Sequence, residues 1–145
     1  ATIVFAGQTW KLAEDLSMQV FSADSHHEDY NDNSLVLKLK YKNTSTLLTG
    51  DLPSTEEEDL LKSQLDLKVD ILKVAHHGSR YSSALKFLQA VDPDVCIIQV
   101  GEDNRFDHPH AEALERLEQV ECQILRNDLQ GNISILSDGE LWWQD

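Results

Sequence analysis

The sequence predicts an α/β protein built on a mixed β-sheet with helices, and three observations predict it. From residue 35 onward, short apolar runs alternate with amphipathic ones, the order that yields a sheet with helical crossovers. Two of the apolar runs end in chemistry-bearing residues, Thr49-Gly50-Asp51 and Val74-Ala75-His76-His77-Gly78-Ser79. The last two short runs, 132–137 and 140–143, are split by turn residues in the manner of a hairpin.

The elements follow in order. Residues 2–6 and 18–22 read as short strands, separated from the next by the polar stretch Ala23–Asp29 and the turn residues Asn31-Asp32-Asn33-Ser34. Leu35–Tyr41 alternates apolar and polar at period two, a half-buried strand. Lys42-Asn43-Thr44 then turns the chain into a strand over Ser45–Thr49. Ser54 with Glu57 three residues on predicts a capping box, opening a helix that runs to about Leu65. A strand over 69–75, a helix around 82–91, a strand over 94–100, a loop through 101–109 and a helix over about 110–120 come next. A strand at 122–126 precedes the closing hairpin. The whole of 1–145 is expected to form a single domain.

Composition narrows the function classes. The 145 residues carry 26 acidic against 12 basic side chains, a formal net charge of −14. That balance disfavours passive binding of polyanions, although a bound metal can invert the local field. Part of the acidity has a local explanation, since Glu56, Glu57, Glu58 and Asp59 fall where a helix dipole favours negative charge. No apolar run reaches transmembrane length and no signal-peptide pattern is present. The opening at Ala1, directly on Ile3-Val4-Phe5, reads as a segment excised from something longer. Neither a phosphate-binding glycine loop nor a basic stripe interleaved with aromatics occurs. Cys96 and Cys122 sit in apolar strand-like runs and read first as two buried thiols, with a disulfide between neighbouring strands as the alternative.

In sheets with helical crossovers, chemistry collects beyond the carboxyl ends of the strands. Asp51, His76 and the 101–110 loop all fall there. A carboxylate and an imidazole delivered from strand ends are what a metal ion needs for hydrolytic chemistry. Asp51 is read as a metal ligand, the alternative being a cap on the following helix. His76 is read as a metal ligand too, and its neighbour His77 is given a catalytic role toward substrate. His108 and His110 flank Pro109 before a helix start and are read as catalytic, His110 contacting phosphate through the helix N-terminus. His26 and His27 read as solvated loop residues. Trp142 and Trp143 read as one ring turned inward and one outward.

These residues resemble a known family. The pieces Leu48-Thr49-Gly50-Asp51, Asp70 through Ser79, Asn104-Arg105-Phe106-Asp107-His108-Pro109-His110 and Arg126-Asn127-Asp128 with Gly131 and Ile133 look like the second half of a metallo-β-lactamase-fold hydrolase. Within that superfamily the chain most resembles the extracytoplasmic domain of ComEC-type competence proteins. The resemblance implies an αβ/βα sandwich, a site for two divalent ions (Mn or Zn) and cleavage of phosphodiesters in the DNA strand that is not imported. It further implies DNA and the membrane as partners of a longer membrane protein, with this domain on the outer side. Two departures stand out. The superfamily's leading His-x-His-x-Asp-His ligand motif is absent, and Asp107 occupies a position where glycine is expected. With half a metal site, the chain alone is expected to be weakly active or inactive. The alternatives are a hydrolase of another ester or small phosphodiester, and a non-catalytic module that self-associates as a homodimer through an exposed sheet edge.

Overall fold

The structure is a computed structural model that describes residues 5–22 and 34–145. Seven strands form one sheet in chain order: β1 (Thr9–Lys11), β2 (Leu16–Ser22), β3 (Val36–Tyr41), β4 (Thr44–Leu48), β5 (Ile71–Lys73), β6 (Val95–Ile98) and β7 (Gln123–Arg126). The strands from β1 to β4 pair antiparallel, and those from β4 to β7 pair parallel. The mixed α/β class expected from the sequence is what forms.

Each parallel step is bridged by a helix: α1 (Ser54–Lys62), α2 (Leu85–Val91) and α3 (Ala111–Gln119). Right-handed crossovers between strands in sequential order place all three helices on one face of the sheet. Period-two alternation sends Leu47, Leu72, Cys96 and Ile98 to that face, where they pack with Leu60, Phe87, Leu88, Val91 and Leu117. On the other face Ile71, Val95 and Leu125 meet Ile133, Ile135 and Trp142 of the closing segment. That segment holds the separate hairpin of β8 (Ile135–Ser137) and β9 (Trp142–Gln144). Trp142 packs inward and Trp143 is exposed, as the alternation predicts.

Several boundaries differ from the sequence reading. Of the strand expected at 2–6, residues 2–4 lie outside the described residues, and Phe5 and Ala6 belong to no strand. His26 and His27 also lie outside the described residues. Thr9–Lys11 forms a strand that its short pattern did not signal, and Asn127–Gln130 forms a single helical turn, α4. The α1 helix stops at Lys62 because Gln64 enters the left-handed region at φ 61°. The α2 helix starts only at Leu85 because Ser83 does the same at φ 57°.

The predicted capping box does not form. Pro53 occupies the cap position of α1, and no side chain bonds the free N–H groups there. Glu57 turns inward instead, is fully buried, and accepts N–H bonds from Ser83 (2.5 Å) and Ala84 (2.7 Å) at the start of α2. Its reach thus satisfies the orphan donors of a different helix. From the other side Arg116 donates to the carbonyls of Ser83 (2.8 Å), Ser82 (2.8 Å) and Arg80 (3.1 Å). A carboxyl group on its N–H groups and a guanidinium on its carbonyls hold the 80–84 loop. Burial pushes the Glu57 carboxyl up to about 7, against the pull of the two N–H donors and of Arg116.

The expectation of two free thiols is overturned as well. Cys96 on β6 and Cys122, one residue before β7, form a disulfide with Cα atoms 5.9 Å apart. Parallel pairing sets Val95 opposite Gln123, which brings the two sulfurs to the same end of adjacent strands.

Two predictions follow from these contacts. The disulfide closes a loop with a sequence separation of 26, so its reduction is expected to lower stability by about 3 to 4 kcal/mol, measured by denaturant unfolding with and without reductant. Glu57 has a folded pKa of about 7 against an ordinary value of 4.5, so between those pH values the folded chain holds a proton that the unfolded chain has released. Stability should therefore fall as pH rises through that window, by on the order of 3 kcal/mol in total, and level off above it. Thermal unfolding across the window should show this fall, and Glu57→Gln should flatten it.

Candidate functional site

The site is built on the carboxyl ends of β4, β5 and β6. Gly50 and Asp51 follow β4 directly, with Gly50 at φ 56°. Its carbonyl accepts the His76 N–H at 3.1 Å, which ties the turn after β5 to the end of β4. Thr49 Oγ1 donates to the Lys73 carbonyl at 2.7 Å across the same pair of strands.

That turn, Ala75–Gly78, is a short 3₁₀ turn with three consecutive residues in the left-handed region: His76 (φ 48°), His77 (φ 56°) and Gly78 (φ 82°). Two non-glycine residues in this conformation carry strain of roughly 1 to 3 kcal/mol each, held in place by the surrounding structure. The strain has a geometric use, since it sends two successive imidazoles out of one strand end. Gly78 cannot be replaced cheaply, because a Cβ there would lie 2.6 Å from the Pro109 Cβ. The Gly78 carbonyl accepts the His110 N–H at 2.9 Å, so the turn and the 104–110 loop are locked together.

Asn104 shapes that loop. Its amide donates to the carbonyls of Gly101 (3.1 Å) and His108 (2.7 Å), and its oxygen accepts from the N–H groups of Phe106 (3.2 Å) and His108 (3.1 Å). Asp107 adopts φ 56°, the region that glycine enters freely and aspartate tolerates better than most residues. The loop therefore keeps a glycine-type turn without glycine.

The five residues singled out in the sequence come together. His108 is the hub, with its ring centre 4.8 Å from that of His110, 5.6 Å from His76 and 6.4 Å from His77. Asp51 faces His77, with Oδ1 3.5 Å from Nε2. Its carboxylate does not cap α1. His77 Nδ1 donates to the Gln99 carbonyl at 2.5 Å, which puts the lone pair of the neutral ring on Nε2. A carboxylate oxygen and an imidazole lone pair then face each other, an arrangement that favours a positive charge between or beside them. His110 has the opposite tautomer: its Nδ1 accepts the Arg80 N–H at 3.1 Å, so the neutral ring carries its proton on Nε2. Both tautomers are assigned from the hydrogen-bond network. His108 is pushed below the ordinary histidine range, first by burial and then by the neighbouring histidines, so it favours the neutral form.

The implied metal can be tested against this donor set. Asp51 and His77 offer two converging donors, but among the described residues no group of three His, Cys, Asp or Glu side chains is placed to hold an ion. A divalent ion needs more ligands than Asp51 and His77 supply, so the described residues alone do not make up a full ligand set.

Two roles escaped the sequence reading. Asn104 was visible only as part of a pattern, because its four bonds all run to loop backbone. Lys73, half-buried beneath the site, donates to the carbonyls of Gly50 (3.1 Å) and Val74 (3.4 Å). Burial depresses its ammonium below the ordinary lysine range, and Asp51 partly offsets that.

Fold and site together define a mixed α/β domain with a carboxylate–histidine centre at the carboxyl ends of parallel strands. No protein-family model matches the chain. Curated proteins do: it is 36% identical over 121 residues to ComE operon protein 3 of Bacillus subtilis, covering 83% of this chain and 16% of that protein. It is 31% identical over 141 residues to Recombination protein 2 of Haemophilus influenzae, 92% of this chain and 17% of that protein. With Competence protein ComA of Neisseria gonorrhoeae the identity is 36% over 104 residues, 71% of this chain and 15% of that protein. These homologues indicate a competence family, and the chain spans only about a sixth of the length of the relatives it matches.

Gly78→Ala should force Pro109 away and loosen the turn. We expect a loss of about 2 to 4 kcal/mol in denaturant unfolding from steric clash and positive φ together, with the histidine ring resonances shifting in NMR spectra.

Proposed function

We propose that this chain is a segment of a DNA-uptake protein of natural transformation, and that its site acts on the phosphodiester backbone of the strand that is not imported. The observation that carries the reading is the convergence of Asp51, His76, His77, His108 and His110 at one set of strand ends, in a chain whose relatives are named for competence and recombination. On this reading the domain is the second half of a metallo-β-lactamase-type sandwich. The activity, the DNA partner and the membrane attachment belong to the longer protein.

The roles follow from the tautomers. His110 offers an Nε2–H donor to a phosphate oxygen or to a leaving oxygen, beside the N-terminus of α3. His108, held neutral, can accept a proton. Asp51 and His77 hold positive charge next to the reacting phosphate, and His76 stands beside His108 as a further imidazole. Mn²⁺ or Zn²⁺ at Asp51 and His77 needs ligands beyond these residues, so the chain alone should bind such ions weakly and cleave DNA little or not at all. The Cys96–Cys122 disulfide supports placing the domain on the outer side of the membrane, because such bonds persist in oxidising compartments. Among the described residues, no helix is long and apolar enough to cross a membrane.

Calorimetric titration of Mn²⁺ and Zn²⁺ tests the half-site. Weak, saturable binding is expected in the 145-residue chain, lost in Asp51→Ala and His77→Ala and reduced in His76→Ala. Equal heats in all four proteins would sink the role of these residues. Efficient Mn²⁺-dependent DNA cleavage by the chain alone would sink the claim that the site is incomplete.

A further inference from the structure

We propose that Lys73 anchors a phosphate-binding site on the floor of the cleft, on the opposite side of the β5 strand end from the helices. Along β5, Leu72 points into the helix-side core, while Ile71 and Lys73 emerge on the other face. There Lys73 borders a cavity of about 530 Å³, together with Thr46, Leu48, Gln99, Asn127 and Asn132. A second cavity of about 410 Å³ beside His77 and His108 shares Gln99 and Asn127 as its wall. The two spaces adjoin along that wall, one lined by imidazoles and one by an ammonium.

The charge of Lys73 is what calls for a ligand. Its three N–H donors meet two carbonyls, those of Gly50 and Val74, and among the described residues it forms no ion pair. Lys38, the other lysine withdrawn from solvent in this sheet, is treated differently: it binds Asp66 at 3.0 Å and two carbonyls besides. A half-buried cation with no carboxylate in ion-pair contact is costly. Asp51 offsets only part of that cost from a distance, and in a chain of formal charge −14 a contacting carboxylate was easy to supply. Leaving Lys73 open to the cavity reserves one donor and its charge for an anion. Asn127 complements it, since its amide oxygen accepts the Val100 N–H at 2.7 Å and leaves its NH₂ as a donor. An ammonium with neutral amide donors around it suits a phosphate. That the phosphate belongs to a nucleic-acid strand rests on the function proposed above; the anion site itself does not.

The test measures binding of a short single-stranded oligothymidylate by fluorescence anisotropy over a range of salt, and of inorganic phosphate by NMR. The proteins are the chain, Lys73→Gln, Lys73→Arg and, as a charge-matched control, Lys86→Gln on the exposed face of α2. Thermal unfolding of each variant is measured alongside. Glutamine keeps an N–H donor for the Gly50 carbonyl while removing the charge. We expect Lys73→Gln to weaken oligonucleotide binding about tenfold and to reduce the slope of log K against log salt by about 0.7. Lys73→Arg should restore most of both, and Lys86→Gln should change neither. Loss of affinity with an unchanged salt slope would overturn the proposal in favour of a structural role, as would equal effects of Lys73→Gln and Lys86→Gln. Should Lys73→Gln fail to fold, Lys73→Arg decides: retained salt slope and affinity support the site, and loss of both in a folded protein overturns it. Phosphate binding that depends on Lys73 without oligonucleotide binding would keep the anion site and defeat the DNA reading. Binding of neither probe would overturn both.

Discussion

The site depends on one steric constraint, the close packing of Gly78 against Pro109. Four histidines come from two chain segments some thirty residues apart, and this contact, the His110–Gly78 backbone bond and the Arg80 N–H bond to His110 Nδ1 join the segments behind the rings. Because Gly78 has no side chain, the loop can approach the turn backbone itself, which is why His108 sits within ring contact of His76, His77 and His110. The strain of His76 and His77 belongs to the same device. Held at one end by the Gly50 carbonyl and at the other by the 104–110 loop, the turn cannot relax without breaking the bonds that define the cluster.

The helix side of the sheet supports the site through charge. Glu57 and Arg116 grip the 80–84 loop by its N–H groups and carbonyls in turn, and Arg80 at the start of that loop gives its N–H to His110. A hydrogen-bonded path therefore runs from a buried carboxylate on α1, through the loop, to an imidazole of the cluster. Burial of Glu57 is costly, which its raised pKa expresses. The energetic loss is tolerable because two otherwise orphaned N–H groups are satisfied in exchange.

What the sequence disclosed and what it withheld divide along one physical line. Asp51, His76, His77, His108 and His110 were legible because strand order alone carries them to one edge of the sheet. Glu57 was misread because the capping-box pattern is local, whereas its partner Ser83 lies 26 positions away. The disulfide was undecidable for the same reason, since it depends on the register of β6 against β7. Nothing in the local pattern singled out Lys73, and only the alternation of β5 shows which cavity its ammonium meets. Asp107 looked like a defect in a glycine position, yet its backbone enters the left-handed region all the same.

The strong acidity of the chain sharpens the functional reading. At physiological salt, charges farther apart than about 8 Å are largely screened, so the overall charge governs approach while a few contacts govern holding. If the chain acts on a phosphate strand as proposed, the overall charge would repel the strand and local donors such as His110 and Lys73 would have to hold it. On that proposal, such a balance would favour a short local contact over an extended binding track. Holding would then fall to a few side chains, and Lys73, which bonds only the carbonyls of Gly50 and Val74 and touches no carboxylate, is placed to be one of them.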